Sequence, residues 1–262
     1  MINLNLKGKN ALVCGSTGGI GKASALALAE LGATITLMAR NESKLKKTLA
    51  ELSVSQGQEH DYLVTDLSVS GAINEPIKVS LLKKDYHILI NNTGGPAPGP
   101  ALDASFNDFL AAFEMHLGSA QMLTQLIAPG MKREKYGRII NIISTSVKIP
   151  IPGLGVSNTI RGAMASWAKT ISAELGPYGI TVNNVLPSTT MTDRLRLIIN
   201  SRAEKSGKSA AQIEDEMINE IPLRRLSEPD EVASLVAFLA SPAAGYISGT
   251  SIPVDGGKTG AI

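Results

Sequence analysis

Ala11-Leu12-Val13-Cys14-Gly15-Ser16-Thr17-Gly18-Gly19-Ile20-Gly21 decides the fold of this chain. The apolar run Ala11 to Cys14 reads as a buried strand. The segment Lys22-Ala23-Ser24-Ala25-Leu26-Ala27-Leu28-Ala29-Glu30-Leu31 follows with helical spacing. Between them lies a turn that needs glycine: Gly15 for the tight bend, Gly19 for close approach of backbone to a bound group, Gly21 for packing of helix on sheet. A strand, a glycine turn and a helix whose first amides point at the turn form a phosphate cradle. The loop is not a P-loop, because Gly21-Lys22-Ala23 lacks the magnesium-binding hydroxyl that follows the lysine there.

Outward from this turn, short runs rich in Val, Ile and Leu recur at 12–14, 33–39, 61–64, 88–91, 138–143, 181–186 and 251–254. Their near-continuous apolar character suits strands buried on both faces. Helical patterns at 22–31, 42–52, 70–83, 106–131, 160–175 and 230–240 lie between them. The alternation predicts an α/β fold: a doubly wound parallel sheet with helices on both faces. With 262 residues and no linker, repeat or low-complexity stretch, 1–262 reads as a single domain. The polar helical segment 189–221 is inserted after a strand. It reads as a lid over the ligand crevice, or as a helical excursion used for subunit contact.

The net charge of +2 and the absence of like-charge blocks argue against nucleic acid or an anionic membrane surface as partners. Cys14 is the only cysteine, so no intrachain disulfide can form, and its apolar strand suits a buried hydrophobe. No apolar stretch reaches the length of a membrane span, and the first nine residues do not read as a secretory leader. A cytoplasmic protein is expected, without a bound metal. His60 and His87 precede strands on the side opposite the crevice and are expected at the surface.

The Gly-x-x-x-Gly-x-Gly spacing resembles that of the short-chain dehydrogenase/reductase family, and the likeness extends in order along the chain. Asp66 in Val64-Thr65-Asp66-Leu67 looks like the family's adenine-binding aspartate. Asn91-Asn92-Thr93-Gly94 resembles its Asn-Asn-Ala-Gly. Gly137-Arg138-Ile139-Ile140-Asn141-Ile142-Ile143-Ser144 resembles its fifth strand, which ends in the catalytic serine. Gly179-Ile180-Thr181-Val182-Asn183-Asn184-Val185-Leu186-Pro187 and Ser248-Gly249-Thr250-Ser251-Ile252-Pro253-Val254-Asp255-Gly256-Gly257 resemble the sixth and seventh.

The resemblance implies a Rossmann-type sheet of about seven strands and hydride transfer between a nicotinamide and a ketone or alcohol. The nearest general likeness is to the 3-oxoacyl-carrier-protein reductase branch. The resemblance places the cofactor against Gly15, Ser16, Thr17, Gly19, Ile20, Gly21, Arg40, Asp66, Leu67, Asn92, Gly94, Arg161, Pro187, Thr190 and Thr192. The second strand ends in Met38-Ala39-Arg40-Asn41, with no acid to bond two ribose hydroxyls. Ala39 leaves room and Arg40 can pair with a 2′-phosphate, so NADP(H) is expected. Arg40 read alone is also compatible with a solvated helix-entry charge. A homodimer or homotetramer is implied, formed through 106–131, 160–175 and the C-terminal segment.

The family's proton-transfer pattern fails here. The five tyrosines, Tyr62, Tyr86, Tyr136, Tyr178 and Tyr246, are followed four places on by Asp66, Ile90, Ile140, Val182 and Thr250, so no Tyr-x-x-x-Lys exists. Counting from Ser144, the tyrosine position falls on Ser157 and the lysine position on Arg161; the asparagine position is His116. The catalytic set therefore reads Ser144, Ser157, Arg161 and His116. Arg161 is a permanent cation with five donors, suited to ribose hydroxyls and a developing oxyanion. His116 can exchange protons or be a satisfied core histidine, and Ser157 can act in a relay or cap the helix that begins beyond it. Two readings follow: an NADP-dependent oxidoreductase with rearranged proton transfer, or a catalytically silent NADP-binding homologue that works as a partner subunit.

Overall fold

The computed structural model describes residues 2–69 and 71–261. Its centre is β1 (Asn10–Cys14), whose Ala11, Leu12, Val13 and Cys14 are all fully buried. β1 pairs in parallel with β2 (Thr34–Ala39) on one side and β4 (Ile88–Asn91) on the other. With β3 (Asp61–Val64), β5 (Gly137–Ile142), β6 (Ile180–Pro187) and β7 (Ser251–Val254) they form a seven-stranded parallel sheet in the order β3-β2-β1-β4-β5-β6-β7. Every residue of β4, β5 and β6 is buried, which is why these strands read as near-continuous apolar runs.

Helices cover both faces. On one, α1 (Gly19–Glu30) and α9 (Pro229–Ala240) bury Ala25, Leu28, Val232 and Val236 against Val13, Ile90 and Ile140. On the other, α3 (Asn74–Leu81), α5 (Ser119–Glu134) and α6 (Gly155–Leu175) place Ile77, Leu123, Ile127 and Ala168 against Leu12, Leu89 and Val182. α2 (Glu42–Glu51) follows β2. The strand order reverses direction between β1 and β4, and the carboxyl ends of these strands open the crevice.

Three expectations are corrected. The helix read over 106–131 is two helices, α4 (Phe106–Phe113) and α5, joined by a π-helical turn over Glu114–Gly118. The helix read from 70 begins at Asn74; Ser70 itself lies outside the described residues. His87 is not at the surface. It is buried, and its Nδ1 accepts the Asn10 N–H at 3.0 Å, while His60 Nδ1 accepts the Ile35 N–H at the same distance. Each ring continues a strand ladder where backbone partners run out.

The half of the sheet beyond the crevice is tied by a row of side-chain amides. Asn91, Asn141 and Asn184 stand opposite one another on β4, β5 and β6, and Asn184 stands opposite Ser251 on β7. Asn91 Nδ2 donates to Asn141 Oδ1 at 2.8 Å, Asn141 Nδ2 to Asn184 Oδ1 at 2.9 Å, and Asn184 Nδ2 to Ser251 Oγ at 3.0 Å. Asn141 is fully buried at the middle of this row. Asn141→Ala strands a buried donor on Asn91 and a buried acceptor on Asn184. We expect a loss of about 3 kcal/mol of stability, read as a lowered urea midpoint.

Candidate cofactor and active site

The glycine turn is shaped by one side chain from across the crevice. Asn92, just past β4, donates through Nδ2 to the carbonyls of Cys14 and Gly15, both at 3.3 Å. Gly15 has φ +58, and a Cβ there would sit 2.7 Å from Asn92 Nδ2. A Cβ on Gly21 would lie 2.2 Å from the Gly15 carbonyl oxygen. Both positions therefore admit only glycine. Gly18 and Gly94 face open space, with no atom within 4 Å of a Cβ built on either. α1 begins after Gly18 with no side-chain cap, so its first amides face the turn unsatisfied. Open space, free amides and a bare backbone fit a dinucleotide diphosphate. Within the turn, Ser16 is fully buried and its hydroxyl donates to the Met38 carbonyl at 3.3 Å, away from the crevice. Thr17 is half-buried at the turn, and Ile20 packs its partly buried side chain onto the core.

Beyond β2 and β3 lies a second polar edge. The Arg40 side chain is 74% exposed and reaches within 3.8 Å of Asp66 Oδ2. Asp66 Oδ1 accepts from the Ser68 amide at 2.9 Å and its hydroxyl at 2.7 Å. The Ser68 hydrogen bond, with Arg40 nearby, holds this carboxyl below its ordinary range. Leu67 turns inward onto the core.

The other half of the crevice is built by β5, α6 and the π turn. In that turn the Ser119 amide bonds to Glu114 rather than to Met115, and the Ser119 hydroxyl takes the released Met115 carbonyl at 2.5 Å. His116, in the middle of the turn, is buried; its Nδ1 meets the Thr93 hydroxyl, and its Nε2 has no protein partner. Burial, then Arg161 and Arg194, pushes the imidazole pKa down to about 3. His116 is thus neutral at physiological pH.

Arg161 is 7% exposed, and its Nη1 donates to the Ile142 carbonyl at 2.9 Å. Burial first, and Arg194 second, brings its pKa down to about 10, so it stays charged at neutral pH. Ser144 ends the β5 segment and accepts the Ser146 amide at 3.1 Å, which leaves its own O–H to donate. Ser157 does not cap α6, because the helix already starts at Gly155. The Asn158 amide, bonded to Ile151 at 2.9 Å, and a Gly155 backed onto Ala101 fix that earlier start. Ser157 therefore lies in the first turn, one helical turn before Arg161.

All five tyrosines lie among the described residues, and each is engaged or exposed elsewhere. Tyr62 bonds Glu42, Tyr86 bonds Ser80, and Tyr136 bonds the Ala240 carbonyl. Tyr178 lies beneath Lys132, and Tyr246 is wholly exposed.

The segment after β6 carries α7 (Asp193–Ser206) and α8 (Ala210–Asn219), which share a small core of Leu195, Ile199, Ile213 and Met217. Pro187 closes β6. Thr190 is buried and its Oγ1 accepts from Ser227 at 2.8 Å, which leaves its own O–H to donate. Thr192 caps α7 through Leu195, and its methyl would lie 3.0 Å from a Cβ on Gly19. Arg194 donates through Nη1 to the Gly95 carbonyl at 2.7 Å and through Nη2 to Pro96 at 2.9 Å. Arg194 thereby ties the inserted helices to the loop after β4.

Sequence reasoning missed Arg194 and Thr93. An arginine in the first turn of a helix opposes the helix dipole, a sign that tertiary partners hold it. Thr93 stands where the resembled motif has alanine and His116 where it has asparagine; these two departures bond to each other.

Residues 15–259 match the family described as Enoyl-(Acyl carrier protein) reductase, of the short-chain dehydrogenase group adh_short_C2. This chain belongs to the short-chain dehydrogenase/reductase family. It is similar to the 7alpha-hydroxysteroid dehydrogenase of Escherichia coli K12, with 31% identity over 97% of this chain and 96% of that protein. It is 30% identical to the NADPH-dependent reductase BacG of Bacillus subtilis, over 97% of this chain and 99% of the relative. The L-sorbose reductase of Gluconobacter frateurii, solved with NADPH and L-sorbose, superposes with TM-score 0.93 at 26% identity over 99% of this chain and all of that one. Family members bind NAD(P)(H), and the cradle fits such a cofactor. Gly21→Ala should therefore weaken dinucleotide binding by roughly 30-fold or more, seen by titrating NADPH fluorescence, because the new methyl pushes the Gly15 carbonyl into the cradle.

Proposed function

We propose that the protein is an NADP(H)-dependent oxidoreductase acting on a ketone or its alcohol, with Ser144, Ser157, Arg161 and His116 in place of the usual tyrosine, lysine and asparagine arrangement. The observation that carries this reading is Arg161: a buried cation with one protein acceptor, the Ile142 carbonyl at the end of β5, and one helical turn from Ser157. Gly15, Gly19, Gly21 and the first amides of α1 would hold the diphosphate, with Asn92 and Gly94 bordering it. Thr17 and Ile20 border the same space, while Ser16 supports the turn from behind. Asp66 and Leu67 would flank the adenine, and Arg40 the 2′-phosphate. Pro187, Thr190 and Thr192 would line the nicotinamide side. Residues 189–221 serve as the lid.

The bound nicotinamide supplies or accepts the hydride. The chain's own groups handle the oxygen. The Ser144 and Ser157 hydroxyls donate to the carbonyl oxygen, and the Arg161 guanidinium stabilises negative charge as it develops there. An alkoxide is basic enough to take a proton from a serine hydroxyl, which solvent then replenishes. Neutral His116, held by Thr93, can pass a proton by accepting on one ring nitrogen and releasing from the other.

A second reading, a silent NADP-binding partner subunit, is favoured by the placement of all five tyrosines away from the crevice. For either reading, Phe106, Leu110 and Phe113, exposed along one side of α4, offer an apolar stripe for a second copy of the chain. No helix among the described residues is long and apolar enough to cross a membrane. We place the protein in the cytoplasm.

Oxidation of NADPH against a panel of ketones separates the two readings: tight binding with no turnover on any carbonyl favours the silent one. With turnover, the pH profile should be flat from about pH 5 to about pH 9. His116, with its pKa lowered to about 3, remains neutral throughout, and Arg161, at about 10, remains charged. An inflection near pH 6.5 would show that His116 titrates instead. Arg40→Ala should reduce the preference for NADPH over NADH, in kcat/KM, by roughly 30-fold or more.

A further inference from the structure

The crevice holds more positive charge than its own carboxylates answer. Arg161 is buried and Arg194 bridges to the carbonyls of Gly95 and Pro96, yet neither forms an ion pair among the described residues. Backbone geometry gathers them. Thr93, which holds His116, and Gly95, which holds Arg194, are two residues apart on the loop after β4. The Arg161 acceptor, Ile142, follows Asn141, the residue paired with Asn91 at the end of β4. Two guanidinium heads and an imidazole thus meet above the ends of β4 and β5. The nearby carboxylates, Asp193 beside Arg194 and Glu114 at the start of the π turn, are exposed and pair with neither arginine. His116 adds no negative charge, and its Nε2 is buried without a partner.

We infer that the substrate is an oxo acid or the corresponding hydroxy acid, whose carboxylate is bound by Arg194 while Arg161 faces the reacting oxygen. This rests on the oxidoreductase reading above. Of the five N–H donors of Arg194, two are engaged by Gly95 and Pro96, which orient the planar head and leave three for a ligand. A carboxylate matches that fork with two acceptors, and the uncompensated charge of Arg161 deepens the attraction. The rival counter-ion is the diphosphate of the cofactor. The glycine turn and the α1 amides already serve it from the β1 side, whereas Arg194 is drawn to the loop after β4.

The test uses the protein saturated with NADP+, where a ketone binds but cannot react. Calorimetry compares pyruvate, acetoacetate and benzoylformate with their methyl esters. At least one acid should bind roughly 30-fold more tightly than its ester, and Arg194→Gln should abolish the difference while Arg194→Lys restores part of it. The side chain of Arg194 lies at the surface of α7, and a melting curve checks that each variant is folded. The inference is overturned if no acid outbinds its ester, if Arg194→Gln keeps the full preference, or if acids bind only the cofactor-free protein, which would make the cofactor diphosphate the counter-ion. Preference for acids without turnover of any ketone by NADPH would sink the oxidoreductase reading and leave the carboxylate site standing.

Discussion

The side chain of Asn92 is the constraint on which the crevice depends. One NH2 group holds the carbonyls of Cys14 and Gly15, and so locks the end of β1 to the end of β4 where the sheet changes direction. The amide fills the space that a Cβ on Gly15 or Gly21 would need. Glycine at those two places is thus a consequence of the asparagine as much as of the ligand. Opening the turn from this grip would release the α1 amides from their common aim. The diphosphate cradle is a tertiary object: half of it is glycine turn, half is the loop after β4.

Much of the fold was legible because the central strands of the sheet are buried on both faces. The runs at 61–64, 88–91 and 251–254 coincide with β3, β4 and β7; β4 is buried throughout, while the edge strands β3 and β7 are only partly covered and are legible from their Tyr, Leu, Ile and Val content. The π turn was not legible: it depends on which carbonyl the Ser119 amide meets, a choice that residue types do not encode, and its local trace is the Ser119 hydroxyl on Met115. The early start of α6 depends on Asn158 reaching back to Ile151, a contact no periodicity encodes. His60 and His87 looked like surface histidines because nothing in sequence marks the end of a strand ladder. The glycines of the cradle could be read from spacing, whereas Arg194 and Thr93 gain their meaning only from partners distant in sequence.

Charge in the half of the crevice built by β5, α6 and the π turn follows from burial. Removing Arg161 and His116 from water weakens the charged form of each, but by unequal consequence: the guanidinium starts so basic that it stays a cation, while the imidazole becomes neutral. The result is fixed positive charge beside an uncharged ring, with serine hydroxyls between backbone and solvent. In the proposed reaction such a site would stabilise an oxyanion by preorganised dipoles and charge rather than by a titrating acid. A tyrosine activated by a lysine would work through the opposite principle, with a proton held close to its release point.

The π turn at Glu114–Gly118 has a consequence for how this helix can change over time. It is a single-residue surplus in an otherwise α-helical rod, taken up within one widened turn. Deleting one residue there would restore an α-helical turn and leave the side chains of α5, Leu123 and Ile127 among them, on the faces they now hold. The change would fall on the turn itself, where His116 meets Thr93 and the Ser119 hydroxyl takes the Met115 carbonyl. The surplus residue therefore confines the effect of a change in length to the one turn that carries the histidine, and the rest of the helix is indifferent to it.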